Sequence, residues 1–261
     1  MPARNIPTQP VSSKPREEIH VVLLCGMLGI TRLLWRDYFH GVRPLLEGQG
    51  FDVLIPQLPF GQSIETRARS LAEFLRELNG PLHLIAHSMG GVDARFYISQ
   101  LGGHRKVASL TTLASPHRGS TAADHEMDTW YSPYRHLPAV ADLTLAAMAK
   151  FNRQTPDTEG VIYRSYPATR PRRELPWITR RFGRLIEEVE GENDSQVSIK
   201  SSTWGEHIAT LPADHFELIG LNLWLNPLQR RTPFDHLAVY RDIGEWIHRF
   251  ELAKHSPTKA D

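Results

Sequence analysis

The sequence predicts an α/β fold with a mostly parallel central sheet and helices on both faces, on three observations. Short, largely apolar runs recur along the chain, amphipathic helical segments separate them, and a serine–glycine turn directly follows one of the runs. A strand covered on both faces reads as a continuous apolar run, and strands alternating with helices build a parallel sheet. The 261 residues are enough for one substantial core. With 41% hydrophobic and 23% charged residues and a net charge of +1, nothing favours a nucleic acid or another charge-driven partner.

Residues 1–18 carry several prolines and no apolar run. They lack the apolar core of a secretory signal and the Arg-rich pattern of a transit peptide, and read as a mobile tail. Residues 253–261 read the same way, which leaves 19–252 as one domain. "HVVLL" (20–24) is the first strand, and Cys25 at its end is the lone cysteine, a buried core thiol that can form no intramolecular disulfide. "FDVLIP" (51–56) is the second strand. "SIETRARSLAEFLRELN" (63–79) then puts Ile64, Ala68, Leu71, Phe74, Leu75 and Leu78 on one helical face with Arg and Glu opposite, until Gly80-Pro81 stops it. "LHLIAH" (82–87), "ASLTTLA" (108–114) and "VIYRSY" (161–166) are the remaining strands.

Two regions break the alternation. Residues 120–158, with Trp130, Tyr131, Tyr134 and "DLTLAAMAKF", show no strand and read as a helical insertion. Residues 167–193 carry Arg170, Arg172, Arg173, Arg180, Arg181 and Arg184, then Glu187, Glu188, Glu190 and Glu192, a pattern that more often marks a solvated face. "TPFDHLAVYRDIGEWIHRF" is an amphipathic C-terminal helix. The longest apolar stretch near the N-terminus, "VVLLCGMLGI", is short and broken by glycines, so a soluble cytoplasmic protein is the expectation.

In "AHSMGG" (86–91), Ser88 stands between a strand and the helical "GVDARFYISQL". That is the setting of a nucleophile elbow, where a strained turn lifts a serine above the sheet and the following helix N-terminus faces developing negative charge. The plainer reading is a small residue in a tight turn. A nucleophilic serine in this setting needs an acid and then a histidine downstream. Asp194 lies in the polar turn of "ENDSQVSIKSS" (192–202), before a short strand-like stretch. His215 lies in "LPADHFELIGLN" (211–222), just before an apolar run. Both suit loops at the carboxyl edge of a sheet. His207 and His236 compete as bases; Asp214 adjoins His215 and should point away; His87 should pack or hydrogen-bond at the elbow. The oxyanion donors are the backbone N–H groups of Met89 and of Met27 in "CGMLG".

These residues resemble the α/β-hydrolase lipases, above all bacterial triacylglycerol lipases and their fungal mitochondrial counterparts. The resemblance runs in order through "LLCGMLG", "AHSMGG", "LTTLASPHRGS", "TPDTEGVIYRSYPA", "NDSQVSIKSSTWG" and "DHFELIGL". It implies the α/β-hydrolase fold, Ser88 as nucleophile, Asp194 as acid, His215 as base, Met27 and Met89 as oxyanion donors, and 120–158 as a lid over an acyl pocket. Ala86 replaces the first glycine of G-x-S-x-G, Cys25 stands where relatives often have His, and Ser195 replaces a glycine after the acid. The implied reaction, hydrolysis of lipid esters through an acyl-enzyme, needs no cofactor. Some bacterial relatives bind a structural calcium through aspartates near the triad; Glu217 stands near one such position, and no partner ligand stands out. Val140, Leu143, Ala147, Met148 and Phe151 form an apolar helical face that is either an ordinary packed helix or a lid over a lipid-sized pocket. The arginine cluster, if it meets anionic head groups, adds transient contact with a lipid surface. A phospholipase, a short-chain esterase, or a silent hydrolase-fold protein that binds a lipid or partner are the alternatives.

Overall fold

Six parallel strands form the central sheet of the computed structural model, which describes residues 19–29, 31–33, 36–223 and 231–255. The chain begins with β1 (His20–Leu24), a small antiparallel ladder of β2 (Arg32–Leu33) and β3 (Arg36–Asp37), α1 (Val42–Gly48), β4 (Asp52–Leu54) and α2 (Ile64–Phe74). Then come β5 (Leu82–His87), α3 (Met89–Gln100), β6 (Val107–Leu113) and the helices α4 (Thr121–Asp128), α5 (Pro138–Asp142) and α6 (Leu145–Gln154). β7 (Ile162–Tyr166), α7 (Arg180–Val189), α8 (Ile199–Ser202), β8 (Glu206–His207) and α9 (His236–His255) complete it.

The strand order is β4-β1-β5-β6-β7-β8, with every ladder parallel. From β1 the chain goes to β4 on one side, then crosses to β5 on the other. The order therefore reverses between β1 and β5, and such a switch point opens a crevice at the carboxyl ends of the two strands. Ser88 follows β5 and Gly26 follows β1, so the fold itself puts them at one crevice.

Alternation along β1 builds two cores. Val21 and Leu23 meet Ile85 and Leu113 with Val42 and Leu46 of α1 and Tyr240, Ile243 and Ile247 of α9. Val22 and Leu24 meet Leu84 and Ala86 with Ala68 and Leu71 of α2 and Ala94 and Ile98 of α3. A one-residue slip in register would exchange the two sets, so burial of both faces pins the strands.

Several boundaries differ from expectation. The helix expected over 63–79 is capped by Ser63, whose Oγ accepts from Thr66 N (3.2 Å), but it ends at Phe74, which is exposed. Arg67, expected on its polar face, is fully buried, because it lies three residues after Ile64 and four before Leu71, within the apolar stripe. The strand at 51–56 shortens to three residues; it is an outer strand of the sheet, paired with β1. The stretch 140–151 is two helices, since Thr144 caps α6 by accepting from Ala147 N (3.3 Å). The strand-like stretch after Asp194 turns into α8, capped by Ser198. Arg170 is buried and not part of a solvated face. Residues 253–255, expected in a tail, continue α9; residues 1–18 and 256–261 lie outside the described residues.

Candidate active site

β5 is buried along its whole length and delivers Ser88 at φ 56°, ψ −135°, a backbone conformation rarely adopted by residues with a side chain. The strain is held by packing on both flanks. A methyl on Gly90 would lie 2.7 Å from the Leu24 carbonyl oxygen, and one on Gly91 would lie 2.2 Å from Ser115 Oγ. Ser88 N–H donates to the Leu113 carbonyl (3.0 Å), which ties the turn to β6.

The structure brings Ser88, His215 and Asp194 into one hydrogen-bonded line. Ser88 Oγ lies 3.0 Å from His215 Nε2, and His215 Nδ1 lies 2.7 Å from Asp194 Oδ2. Asp194 is fully buried, and its Oδ1 accepts the N–H groups of Gln196 (2.9 Å) and Val197 (2.8 Å). One carboxylate oxygen is thus fixed by its own turn and the other faces the imidazole. A carboxylate at Nδ1 keeps the ring proton there and leaves Nε2 as the acceptor for the serine hydroxyl. The rival histidines are engaged elsewhere: His207 sits exposed on β8 beside Thr210 Oγ1, and His236, at the start of α9, donates to the His40 carbonyl (2.8 Å).

Met89 is the first residue of α3, so its N–H has no acceptor within the helix. On the opposite wall, Gly26 approaches Ser88 so closely that a methyl there would lie 3.0 Å from Ser88 Cβ. The loop is shaped by Arg67, whose guanidinium donates to the carbonyls of Cys25 (3.2 Å), Gly26 (2.8 Å), Met27 (3.2 Å) and Pro59 (3.0 Å) and is ion-paired with buried Asp93 (2.8 Å). Because a trans peptide points its C=O and N–H in opposite directions, drawing the Gly26 carbonyl to Arg67 turns the Met27 N–H away from it. Burial pushes the Cys25 thiol up to about 12, with Arg67 opposing, so it stays an uncharged core group.

His87 links the two walls. Its Nε2–H donates to the His215 carbonyl (2.9 Å), which leaves Nδ1 to accept from the Tyr38 hydroxyl (2.8 Å). The Tyr38 oxygen in turn accepts from Gly26 N–H (3.1 Å). Burial, reinforced by His215, holds His87 well below the usual imidazole range, so it is neutral. The "SPHRGS" block braces the acid loop: Ser120 Oγ–H donates to the Gln196 carbonyl (2.6 Å), and Arg118 N–H and the Gly119 carbonyl both bond Ser201 of α8.

Glu217, near a calcium-ligand position of some bacterial relatives, and Asp214 are the acidic groups that flank His215 in the chain. Arg170 forks onto both Glu217 oxygens (3.1 and 3.2 Å), and Arg231 bonds Asp214 Oδ2 (2.6 Å) and Glu217. Asp214 Oδ1 is taken by the N–H groups of Phe216 and Glu217. Calcium takes six to eight oxygen ligands; here each carboxylate oxygen already accepts from the protein, and two guanidiniums fill the space beside them. The residues do not fit the ion. The pairing of Glu217 with Arg170, like the roles of Arg67, Tyr38 and Arg231, was not read from the sequence. Only Arg67 left a signal, its place within an apolar stripe.

A parallel sheet with a switch-point crevice, a strained serine after its central strand and an acid–histidine pair on later loops define an α/β hydrolase. The chain belongs to the alpha/beta hydrolase family, whose family model matches residues 21–252. It is similar to triacylglycerol lipase 2 of Saccharomyces cerevisiae, 35% identical over 218 residues, which are 76% of this chain and 66% of that protein. It is also similar to a triacylglycerol lipase of Vibrio cholerae, 35% identical over 109 residues, 40% of this chain and 34% of that protein. The chain thus spans a little under two thirds of the yeast relative's length and about a third of the bacterial one's. The crystal structure of Staphylococcus hyicus lipase superposes with a TM-score of 0.73, covering 96% of this chain and all of that one at 17% identity. Mature Bacillus licheniformis lipase superposes with a TM-score of 0.67 at 23% identity, covering 81% and 90%. At those identities the likeness is one of fold.

Proposed function

We propose that the chain is a serine carboxylic-ester hydrolase acting on lipid esters. The observation that carries this reading is the hydrogen-bonded line Ser88–His215–Asp194 at the switch point, and the yeast relative named a triacylglycerol lipase supports the substrate class. His215 takes the Ser88 proton as the hydroxyl attacks the acyl carbonyl. The Met27 and Met89 amides bind the oxyanion, and Asp194 orients and stabilises the imidazolium. The alcohol leaves with the proton from His215, and a water deprotonated by the same ring hydrolyses the acyl-enzyme. The chemistry requires no cofactor.

Residues 120–158 serve as the lid in this reading. Met148 and Ala139 pack toward Met89, Val92 and Ile64, with Met27, Leu143 and Phe151 alongside, so α5 and α6 lie over both oxyanion segments. Contact with a lipid surface belongs to the same reading. Trp130 and Tyr131 after α4 and Trp177 and Ile178 before α7 are exposed. Thr121 bonds Glu190 and Arg181 bonds His125, so α4 and α7 run antiparallel and bring these turns to one end, where Arg180 bonds the Arg173 carbonyl. Binding of the Ser88→Ala protein to anionic vesicles should weaken with added salt; binding unaffected by salt would remove the arginines from the account.

Hydrolysis of p-nitrophenyl esters from acetate to palmitate, comparing the wild type with Ser88→Ala, tests the whole. Loss of the nucleophile should lower kcat by about six orders of magnitude. Activity on long chains that vanishes in the variant supports a lipase; a preference for short chains leaves an esterase on the same residues. Equal rates, together with no labelling by a fluorophosphonate, would leave a silent hydrolase fold.

A further inference from the structure

Arg170 touches both loops that carry the partners of Ser88. Its backbone N–H donates to the carbonyl of Asn193 (3.1 Å), the residue before Asp194. Its side chain is 3% exposed and crosses to the other loop, forking onto Glu217, two residues after His215. The same guanidinium donates to the Thr232 carbonyl (2.8 Å) and reaches Glu174 (3.3 Å). Glu217 passes the restraint on, because its Oε2 accepts the Asp214 N–H (2.8 Å) and closes the turn that presents His215. Arg231 spans Asp214 and Glu217 from the other side. His215 N–H donates to the Asp194 carbonyl (2.9 Å), so the two loops are already in register where Arg170 bridges them.

A buried carboxylate pair must be compensated by cations or be protonated. In this chain two guanidiniums provide that compensation, and the planar fork of Arg170 fixes direction as well as charge. We propose that Arg170, with Arg231, is the positioning residue that sets His215 against Asp194, doing with the chain's own charge what a bound calcium would do at this turn. The part concerning reactivity rests on the reading of Ser88 as a nucleophile. The part concerning the ion does not.

The test has two arms on the full chain. In the first, thermal unfolding of the wild type is followed with EDTA and with added calcium. An unchanged midpoint is expected, whereas a midpoint lowered by EDTA and restored by calcium would overturn the proposal. In the second, the rate at which a fluorophosphonate labels Ser88 is compared in the wild type, Arg170→Lys and Arg170→Gln. A misplacement of about 1 Å costs about a hundredfold in reactivity, so Arg170→Gln should be labelled about a hundredfold more slowly, with Arg170→Lys between. Labelling at the wild-type rate in variants that merely melt earlier would make Arg170 structural and overturn its positioning role. Should Arg170→Gln fail to fold, Arg170→Lys and the chelator arm decide. A wild type that takes no label overturns the nucleophile reading and Arg170's part in reactivity with it, while the melting arm still answers for calcium.

Discussion

Ser195 adopts φ 88° in the turn that holds Asp194, and its hydroxyl is buried without a hydrogen-bond partner in the structure. A left-handed backbone costs a side-chain-bearing residue about 1–3 kcal/mol, and a buried unsatisfied hydroxyl adds to that. Glycine removes both penalties and gives some of the gain back through a freer unfolded chain. Ser195→Gly should therefore raise the unfolding free energy by about 1 kcal/mol, read as a higher midpoint in urea with an unchanged slope. A lower midpoint would mean that the hydroxyl has a partner that matters. Tyr38 presents the opposite case, a single hydroxyl with two buried dependants. Tyr38→Phe leaves the Gly26 N–H and His87 Nδ1 without their partner and should cost about 2 kcal/mol. Because Gly26 adjoins the Met27 amide, kcat for ester hydrolysis should fall more than KM rises. A change confined to KM would detach Tyr38 from the proposed oxyanion role of the Met27 loop.

At the scale of elements, α2 governs the loop after β1 through one side chain. Arg67 reaches that loop from a helix that also supplies Ala68 and Leu71 to the core, so packing of α2 and the shape of the loop are coupled. Arg67→Met would strand Asp93 as a buried charge and should destabilise by about 3–5 kcal/mol. Arg67→Lys keeps the charge but loses the planar fork that holds several carbonyls at once. It should fold, retain its KM and lose about tenfold to a hundredfold in kcat. An unaltered kcat in a folded Arg67→Lys protein would show that the loop is shaped by something other than this guanidinium. Arg67 also shows where sequence reading stops. Its spacing from Ile64 and Leu71 placed it on the buried stripe, yet a charged residue there is ordinarily read as a solvated one. The approach of α3, which brings Asp93 against α2, and the four carbonyls of the neighbouring loops make burial tolerable, and both are tertiary facts.

For the molecule as a whole, the parallel strands around the elbow and the order of Ser88, Asp194 and His215 along the chain were legible, because buried parallel strands leave apolar runs and the elbow leaves glycines; the order of the strands across the sheet was not. The long-range struts were not. Tyr38 meets His87 across 49 residues and Arg170 meets Glu217 across 47, and neither pairing has a local pattern. The same holds for His83, which sits in β5 at the end remote from Ser88 and bonds Ser109 Oγ (2.7 Å) and Glu251 of α9 (3.1 Å). Serine, histidine and acid again stand in line there, but all three are buried, and their effect is to fasten α9 to the sheet. Burial lowers the His83 pKa to about 4, with Glu251 opposing, and burial also holds His87 and His117 well below the usual range. All three are therefore neutral in the folded chain and take up protons more readily once it unfolds. A depressed folded-state pKa means the stability is fully present above the unfolded value of about 6.5 and is lost as pH falls toward the folded value. Between about pH 6.5 and about pH 4, His83 alone should cost about 3 kcal/mol, and the other two steepen the loss. Urea midpoints measured across that interval should fall steadily, and the fall should be shallower in His83→Gln, whose amide stays uncharged throughout. A slope that the substitution leaves unchanged would assign the acid sensitivity to other groups and leave α9 fastened by its apolar contacts with β1 and α1.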